Sequence, residues 1–376
     1  MSATIQADDF QQTPTRLQSL DALRGFDMVW IMGLEPIVKE IAKATHWPAF
    51  EWAAIQLDHP AWNGFHFYDL IFPLFLFMAG VSTPFSIGRA LEKGTSRNKL
   101  LWRIIKRGII LVIFGIIYNN GLNIQPIADV RFGSVLGRIG MAYMFAAIIY
   151  LYAAERWQMF WFWFFIIAYW LILKFLSAPG FPAGDLTMPG NFTSYVDRCL
   201  MPGKLYLGIH DPEGIFSTIP AISTGILGVL TGIMLKKTGL SQMKKVTRMA
   251  VVGVIFLVLA WIWNLDFPVN KNLWTSSFVL NVGGISLLLM ALFYYIIDVL
   301  GYVKWAFFFK VIGMNSILIY MSNHFIDWNH TNSAFFNWLF QLIGNPFNLV
   351  IAAVTYLGIK WLFLYVLYKY KIFLRV

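Results

Sequence analysis

Residues 66–88 read His-Phe-Tyr-Asp-Leu-Ile-Phe-Pro-Leu-Phe-Leu-Phe-Met-Ala-Gly-Val-Ser-Thr-Pro-Phe-Ser-Ile-Gly. Past Asp69 the run is dominated by aliphatic and aromatic side chains. As one helix it is long enough to cross the roughly 30 Å hydrocarbon layer of a bilayer. Runs of the same kind recur near 22–42, 104–120, 134–153, 159–177, 215–235, 249–265, 276–298, 306–323 and 347–368. Backbone immersed in lipid is satisfied only by helices or closed barrels, and the short alternating segments of a barrel are absent. The expected fold class is all-α: a polytopic integral membrane protein of about ten transmembrane helices.

Composition agrees with that reading. Of 376 residues 58% are hydrophobic and only 13% charged, with mean hydropathy +0.63, whereas a soluble domain carries about 25% charged residues. Residues 1–15 are polar and lack the charged-then-apolar layout of a signal peptide, so they are expected to form a flexible cytosolic N-terminus. Residues 16–376 are expected to form a single transmembrane domain. The Pro-rich loop 178–214, with Pro179, Pro182, Pro189, Pro202 and Pro212, would cap its outward face. The single cysteine, Cys199, excludes an intramolecular disulfide and a cysteine metal cluster, and is expected to be a buried thiol.

The net charge of +10 is distributed as a topology signal and not as a nucleic-acid footprint. Basic residues gather in 89–107, in 236–248, at Arg16 and Arg24, and at Lys369, Lys371 and Arg375. The alternate loops 43–65, 121–133, 178–214, 266–275 and 324–346 are poorer in them. With an even number of spans all the basic segments fall on one side, which the positive-inside rule makes cytosolic, with both termini. The segment 331–345 could also form a short interfacial or re-entrant helix.

Ionisable residues in or beside a span are costly and so mark candidate sites. The richest cluster is Asp58-His59-Pro60-Ala61-Trp62-Asn63-Gly64-Phe65-His66-Phe67-Tyr68-Asp69. A histidine beside a carboxylate is poised as a general base, and His66 and Asp69 would share a helix face at i,i+3. The same residues could be an interfacial histidine in an aromatic belt, or a metal site formed by His59, His66 and Asp69. A second cluster, His210-Asp211-Pro212-Glu213-Gly214, either caps the next helix through Asp211 or adds a carboxylate pair to the vestibule of His59. Glu35 is a charge deep in the first helix, where Arg24 and Asp27 could pair with each other. Arg138 would face a cavity or a partner. Asn315 and Ser316 are polar residues inside a span, serving either as helix glue or as ligand contacts.

Several of these blocks carry a family resemblance. Leu20-Asp21-Ala22-Leu23-Arg24-Gly25, His59-Pro60-Ala61-Trp62-Asn63-Gly64 and Tyr68-Asp69-Leu70-Ile71-Phe72-Pro73-Leu74-Phe75 resemble the heparan-α-glucosaminide N-acetyltransferase family and its bacterial relatives. Further matches follow in order: Gly133 to Gly140 around Arg138, Asp211-Pro212-Glu213-Gly214, Lys271-Asn272-Leu273-Trp274, Gly313-Met314-Asn315-Ser316-Ile317-Leu318 and Lys371-Ile372-Phe373. They cover almost the whole chain from residue 16.

The resemblance implies a membrane-embedded acyltransferase that carries acetyl from cytosolic acetyl-CoA to the amine of a glucosamine-type sugar on the far side. Its catalytic histidine would be His59, with Asp69 orienting the ring and Asn63 or a backbone N–H facing the developing oxyanion. Transient acetylation of His59 is the covalent variant of that chemistry. Glu35 stands where the lysosomal member has an asparagine, and would act as a base or as an amine anchor. The family histidine near the ninth helix aligns with Asn323. That lysosomal member has an additional luminal region and one further helix, outside the part resembled here. Substrate contacts are expected from Trp62, Asn63, Asp211, Glu213 and Asn315. Arg24, Arg107, Arg138 and Lys244, with Arg103, would neutralise CoA phosphates, and no metal is expected. The expected setting is a bacterial cytoplasmic membrane, with the lipid bilayer and a second copy of the chain as partners and no nucleic acid. An O-acyltransferase of envelope polysaccharide and an amino-sugar transporter without chemistry are the rival readings.

Overall fold

The computed structural model describes residues 17–123 and 125–374; the expected segment 1–15, with Arg16 and Arg375, lies outside the described residues. The architecture is all-helical, with no strand among the described residues. In chain order the helices are α1 (Gln18–Val29), α2 (Glu35–Thr45), α3 (Pro48–Gln56), α4 (Ile71–Thr83), α5 (Arg89–Glu92), α6 (Arg97–Asn120), α7 (Val135–Tyr152) and α8 (Glu155–Phe175). They continue as α9 (Phe192–Leu200), α10 (Thr218–Lys236), α11 (Gln242–Asn264), α12 (Ser276–Tyr294), α13 (Phe307–Gly313), α14 (Ser316–Phe325), α15 (Trp328–Ile343) and α16 (Asn348–Lys369).

Among the described residues, seven helical stretches are long and apolar enough to cross a membrane: Phe67–Glu92, Val135–Tyr152, Glu155–Phe175, Thr218–Lys236, Gln242–Asn264, Ser276–Val299 and Asn348–Lys369. The other three expected spans are helical but interrupted or charged. The first runs from α1 through a π turn at Trp30–Leu34 into α2, with Gly33 at φ +156°. The α6 helix carries Arg103, Lys106 and Arg107 within its length. The ninth is broken between α13 and α14.

Burial orders the bundle. The α4 and α10 helices form the centre, where Leu74, Leu76, Phe77 and Met78 are wholly buried. They cross with backbone against backbone, since a Cβ at Gly80 would collide with the Gly225 carbonyl and one at Gly228 with that of Phe77. A second such crossing joins α1 to α13, where a Cβ at Gly25 would meet the Phe309 carbonyl and one at Gly313 that of Asp21. Small residues at helix crossings are how membrane helices gain packing without a hydrophobic driving force. The outer helix α11 instead exposes Val251, Val254, Ile255, Val258 and Trp261, a stripe that lipid covers at no cost and water would not.

The longer loops at one end of the bundle fold into short helices that sequence periodicity did not separate. Within 43–65 lies α3, opened by Pro48 in its first turn. Within 178–214 lies α9, opened by Asn191, whose side chain accepts the Ser194 N–H. The segment expected to hold a short helix near 331–345 is α15, opened by Asp327 accepting the His330 N–H. Cys199 sits on α9 and is exposed, not buried.

Candidate active site

His59 lies on the loop between α3 and α4, and the backbone fixes where it points. Gly64, at φ +118°, turns that loop and donates its N–H to the Val269 carbonyl at 2.8 Å. This ties 58–66 to the 266–275 loop. The expected pairing of His66 with Asp69 on one helix face does not form through the ring, because His66 is extended (φ −112°, ψ 160°) and stands just outside the 3₁₀ turn at Phe67–Leu70 by which the chain enters α4. Asp69 accepts the His66 backbone N–H on Oδ2 at 3.0 Å, while the His66 ring turns away to the Asp58 carbonyl at 2.9 Å. Asp69 Oδ1 is left for His59, whose Nδ1 lies 2.6 Å away. A carboxylate at Nδ1 fixes the tautomer with the proton on that nitrogen and the lone pair on Nε2.

Lys271 completes the cluster from the opposite loop. Its Nζ stands 3.4 Å from Asp69 Oδ1, 3.0 Å from His59 Nε2 and 3.2 Å from His59 Nδ1. An ammonium near both ring nitrogens cannot lie along either one in the ring plane without meeting the carbon between them. Lys271 therefore stands over the N–C–N edge of the imidazole. Burial pushes the Lys271 ammonium below its ordinary range, against the opposite pull of Asp69 and Glu213. Asn270, next in the chain, donates to the Asn63 side-chain oxygen at 3.0 Å and so ties the two loops together again.

These groups line a cavity of about 420 Å³ whose wall includes His59, Trp62, Asp69, Glu213 and Lys271. His59 is 48% exposed on that wall, while Asp69 behind it is 1% exposed. Arg131 and the stacked pair Tyr118 and Tyr320, with ring centroids 4.3 Å apart, line the rest. Arg131 donates from Nε and Nη2 to the two Asp211 oxygens at 3.0 and 2.9 Å, and from Nη2 to Glu213 Oε2 at 2.6 Å. Asp211 is thus an anchor for Arg131 and not a helix cap. Although burial raises it, the guanidinium fork holds Asp211 below the usual carboxylate range. Glu213 is pushed up by burial. The cap meets the site through Trp62, whose indole N–H donates to the Leu186 carbonyl at 2.9 Å.

Other residues singled out from the sequence fall elsewhere. Glu35 is one layer back: it binds Lys39 at 2.7 Å and the Tyr68 hydroxyl, and Lys39 also reaches Asp58 at 2.7 Å. Asn63 is exposed beside the cavity and held by Asn270. Asn315 is not at the cavity, since its amide donates to the Ile372 carbonyl at 2.9 Å and accepts the Leu374 N–H at 3.0 Å. Arg24 and Asp27 do not pair; Arg24 lies 3.8 Å from Asp21 instead. Arg138 does not join the other candidate cations, because its guanidinium turns to the Gly214 carbonyl and Ser217 and lines a separate, largely apolar cavity of about 460 Å³. Lys244 is exposed in the first turn of α11. Arg107 does face a cavity, of about 400 Å³, together with Arg103 and Lys106. Its guanidinium covers the Tyr143 ring at 4.3 Å, and its Nε is buried without a partner. Among the described residues no three His, Cys, Asp or Glu side chains converge as a metal site.

Sequence reading missed Lys271 and Arg131 as site residues. The signal was available, because each is a cation in a loop otherwise poor in them. The tyrosine pair carried no such signal: Tyr118 and Tyr320 come from helices distant in sequence.

An imidazole held by a carboxylate on a cavity wall is an arrangement able to take up and release a proton. Comparison with known proteins agrees with the resemblance drawn from the motifs. The chain is 28% identical to heparan-alpha-glucosaminide N-acetyltransferase of Mus musculus, over 100% of this chain and 63% of that protein. It is also 28% identical to the Homo sapiens protein of the same name, over 96% of this chain and 60% of that one. The chain thus spans about three fifths of the length of the curated relatives it matches. No family model matches it.

Proposed function

We propose that this protein is a transmembrane N-acetyltransferase that passes acetyl from acetyl-CoA at the cytosolic face to the amine of a glucosamine-type sugar at the opposite face. The observation that carries this reading is His59 held between Asp69 and Lys271 on the wall of a 420 Å³ cavity. In this reading the ten helical segments all span the bilayer of a bacterial cytoplasmic membrane, with both termini cytosolic and His59 facing outward. Residues 16–376 act as one domain under the 178–214 cap.

The donor supplies an acetyl group whose thioester carbonyl carbon bonds to the sugar nitrogen as the C–S bond breaks. The residues of the chain do the rest. A sugar amine is largely an ammonium at neutral pH and gives up one proton to water before it attacks; as its nitrogen bonds the carbonyl carbon, His59 takes a second proton on Nε2 while Asp69 fixes the ring and supports the imidazolium. That proton then leaves to the departing sulfur. Lys271, over the ring edge, supplies fixed positive charge where the carbonyl oxygen becomes an oxyanion, in a site that needs no reorganisation. Glu213 and Arg131 border the cavity as polar contacts for the acceptor, and the rings of Tyr118, Tyr320 and Trp62 offer flat faces for it. The donor fits the opposite cavity on one observation: Arg107 keeps a buried Nε without a partner beside Arg103 and Lys106, a group of cations suited to phosphate.

Purified protein supplied with labelled acetyl-CoA and a panel of amino sugars should give an N-acetyl product by mass spectrometry. His59→Ala should fold and bind CoA yet transfer no acetyl; full turnover by that variant would remove the assignment.

A further inference from the structure

Beside the His59 cavity lies a second and much smaller gap of about 40 Å³. It shares Val135 and Tyr320 with the larger cavity, so the two adjoin through those side chains. Its walls are α1, α4, α7 and α14, and they are apolar apart from Asp27, Ser316 and the Tyr320 hydroxyl. Asp27 is 1% exposed, and neither carboxylate oxygen has a hydrogen-bond partner. A buried carboxyl group without a hydrogen bond costs stability with no return from the fold itself, which makes it a candidate for a ligand contact.

Three of the helices around this gap are irregular where they border it. The π turn Trp30–Leu34 begins three residues beyond Asp27 and includes the wall residue Ile31. The break between α13 and α14 ends at Ser316. The 3₁₀ turn Phe67–Leu70 gives way to α4 at Ile71, and Pro73 follows. Helices depart from regular geometry at identifiable places, and π turns concentrate at functional sites. In its present form the gap has room for about one water; the irregular walls are where it can widen.

The ligand chemistry follows from the lining. One carboxylate among apolar walls is far too few oxygens for a bound cation. It suits a slender, mostly apolar chain with N–H groups along it. We propose that this gap is the throat through which the pantetheine arm of the acyl donor reaches His59, and that Asp27 accepts hydrogen bonds from its amide N–H groups. This rests on the acetyltransferase reading, and it assigns a place and a residue to the arm that the cationic cavity at Arg107 does not supply.

The test is equilibrium binding to the full-length protein in detergent, by calorimetry, of CoA, pantetheine and adenosine 3′,5′-bisphosphate. Asp27→Leu should weaken CoA and pantetheine about five- to tenfold, the worth of one hydrogen bond, and leave the nucleotide fragment unchanged. Ser316→Phe, which plugs the gap without touching His59, should reduce CoA affinity to that of the nucleotide fragment. Should Asp27→Leu fail to fold by size exclusion, Asp27→Asn carries the same comparison with a smaller loss. Wild-type affinity for CoA and pantetheine in these variants overturns the proposal, as does an equal loss for the nucleotide fragment. If the wild-type protein binds no CoA at all, it is the acetyltransferase reading that falls.

Discussion

At the residue scale the proposed chemistry turns on Lys271 as much as on His59. Two loops far apart in sequence deliver them, and Asp69 holds both, at 2.6 Å and 3.4 Å. Lys271→Met should lower kcat by about 10²–10³-fold, the usual worth of one oxyanion donor, with little change in the donor KM. Lys271→Arg should recover part of it, because the charge remains over the ring edge. Steady-state kinetics on both variants checks this, and wild-type kcat in Lys271→Met would exclude the role. The spacing of residue types pointed to His66 and Asp69, and His59 was singled out as the catalytic histidine by the resemblance of its motif. The pairing of His59 with Asp69 was not legible, since His66 is extended ahead of the 3₁₀ turn, so that Asp69 takes its backbone N–H and keeps the other oxygen for His59.

A different residue makes the cap sensitive to acid. His210 is fully buried, its Nδ1 2.8 Å from Ser194 Oγ, and burial pushes it down to about 4 from 6.5. The unfolded chain therefore takes up this proton first; the stability is complete above about 6.5 and is lost as the pH falls toward 4. Asp197, raised to about 6 by burial, works in the other direction and gains stability as the pH falls through that value. Comparing wild type with His210→Asn isolates the first effect. The fall in melting temperature between pH 6.5 and pH 4 should be smaller in the variant. An identical fall in both would show that His210 is not the sensor.

At the scale of elements, the break in the first helix has a named support. Its π turn frees the Met32 carbonyl, and Lys360 of α16, 1% exposed, donates to it at 3.0 Å. The same ammonium donates to Asn323 Oδ1 at 2.8 Å and to the Tyr356 hydroxyl at 2.6 Å. Lys360→Met keeps the volume but leaves those acceptors buried and unmet, at a cost of about 1–3 kcal/mol. Thermal unfolding in detergent should show a clear drop, and an unchanged midpoint would mean that water replaces the ammonium. The helix itself was legible from its apolar run. Its kink was not, because the ammonium that stabilises it comes from the far end of the chain.

At the scale of the whole molecule, the sidedness proposed above has a direct probe already in the chain. Cys199 is the single cysteine and is exposed on α9 of the cap. A membrane-impermeant maleimide should label it in intact spheroplasts. Labelling only in inside-out vesicles would reverse the orientation and place His59 on the wrong side for its acceptor. The all-helical class was readable because lipid permits so few backbone solutions, while among the described residues seven of the ten expected spans have the length and apolar character to cross a membrane. The cap was readable only as a Pro-rich loop, since α9 is short and owes its position to partners such as Phe216, whose N–H Asp197 accepts at 3.1 Å.

The glycine crossings limit how such a molecule can move. With backbone pressed on backbone at Gly80 and Gly228, and again at Gly25 and Gly313, neither helix of either pair can slide past its mate. Each pair is in effect welded, and the Asp27 gap lies between the welds, with α1 on one bank and α4 on the other. Dilation at the irregular walls then spreads α1 from α4 without sliding either pair, and a bulky residue at any of the four glycines would force a welded pair apart.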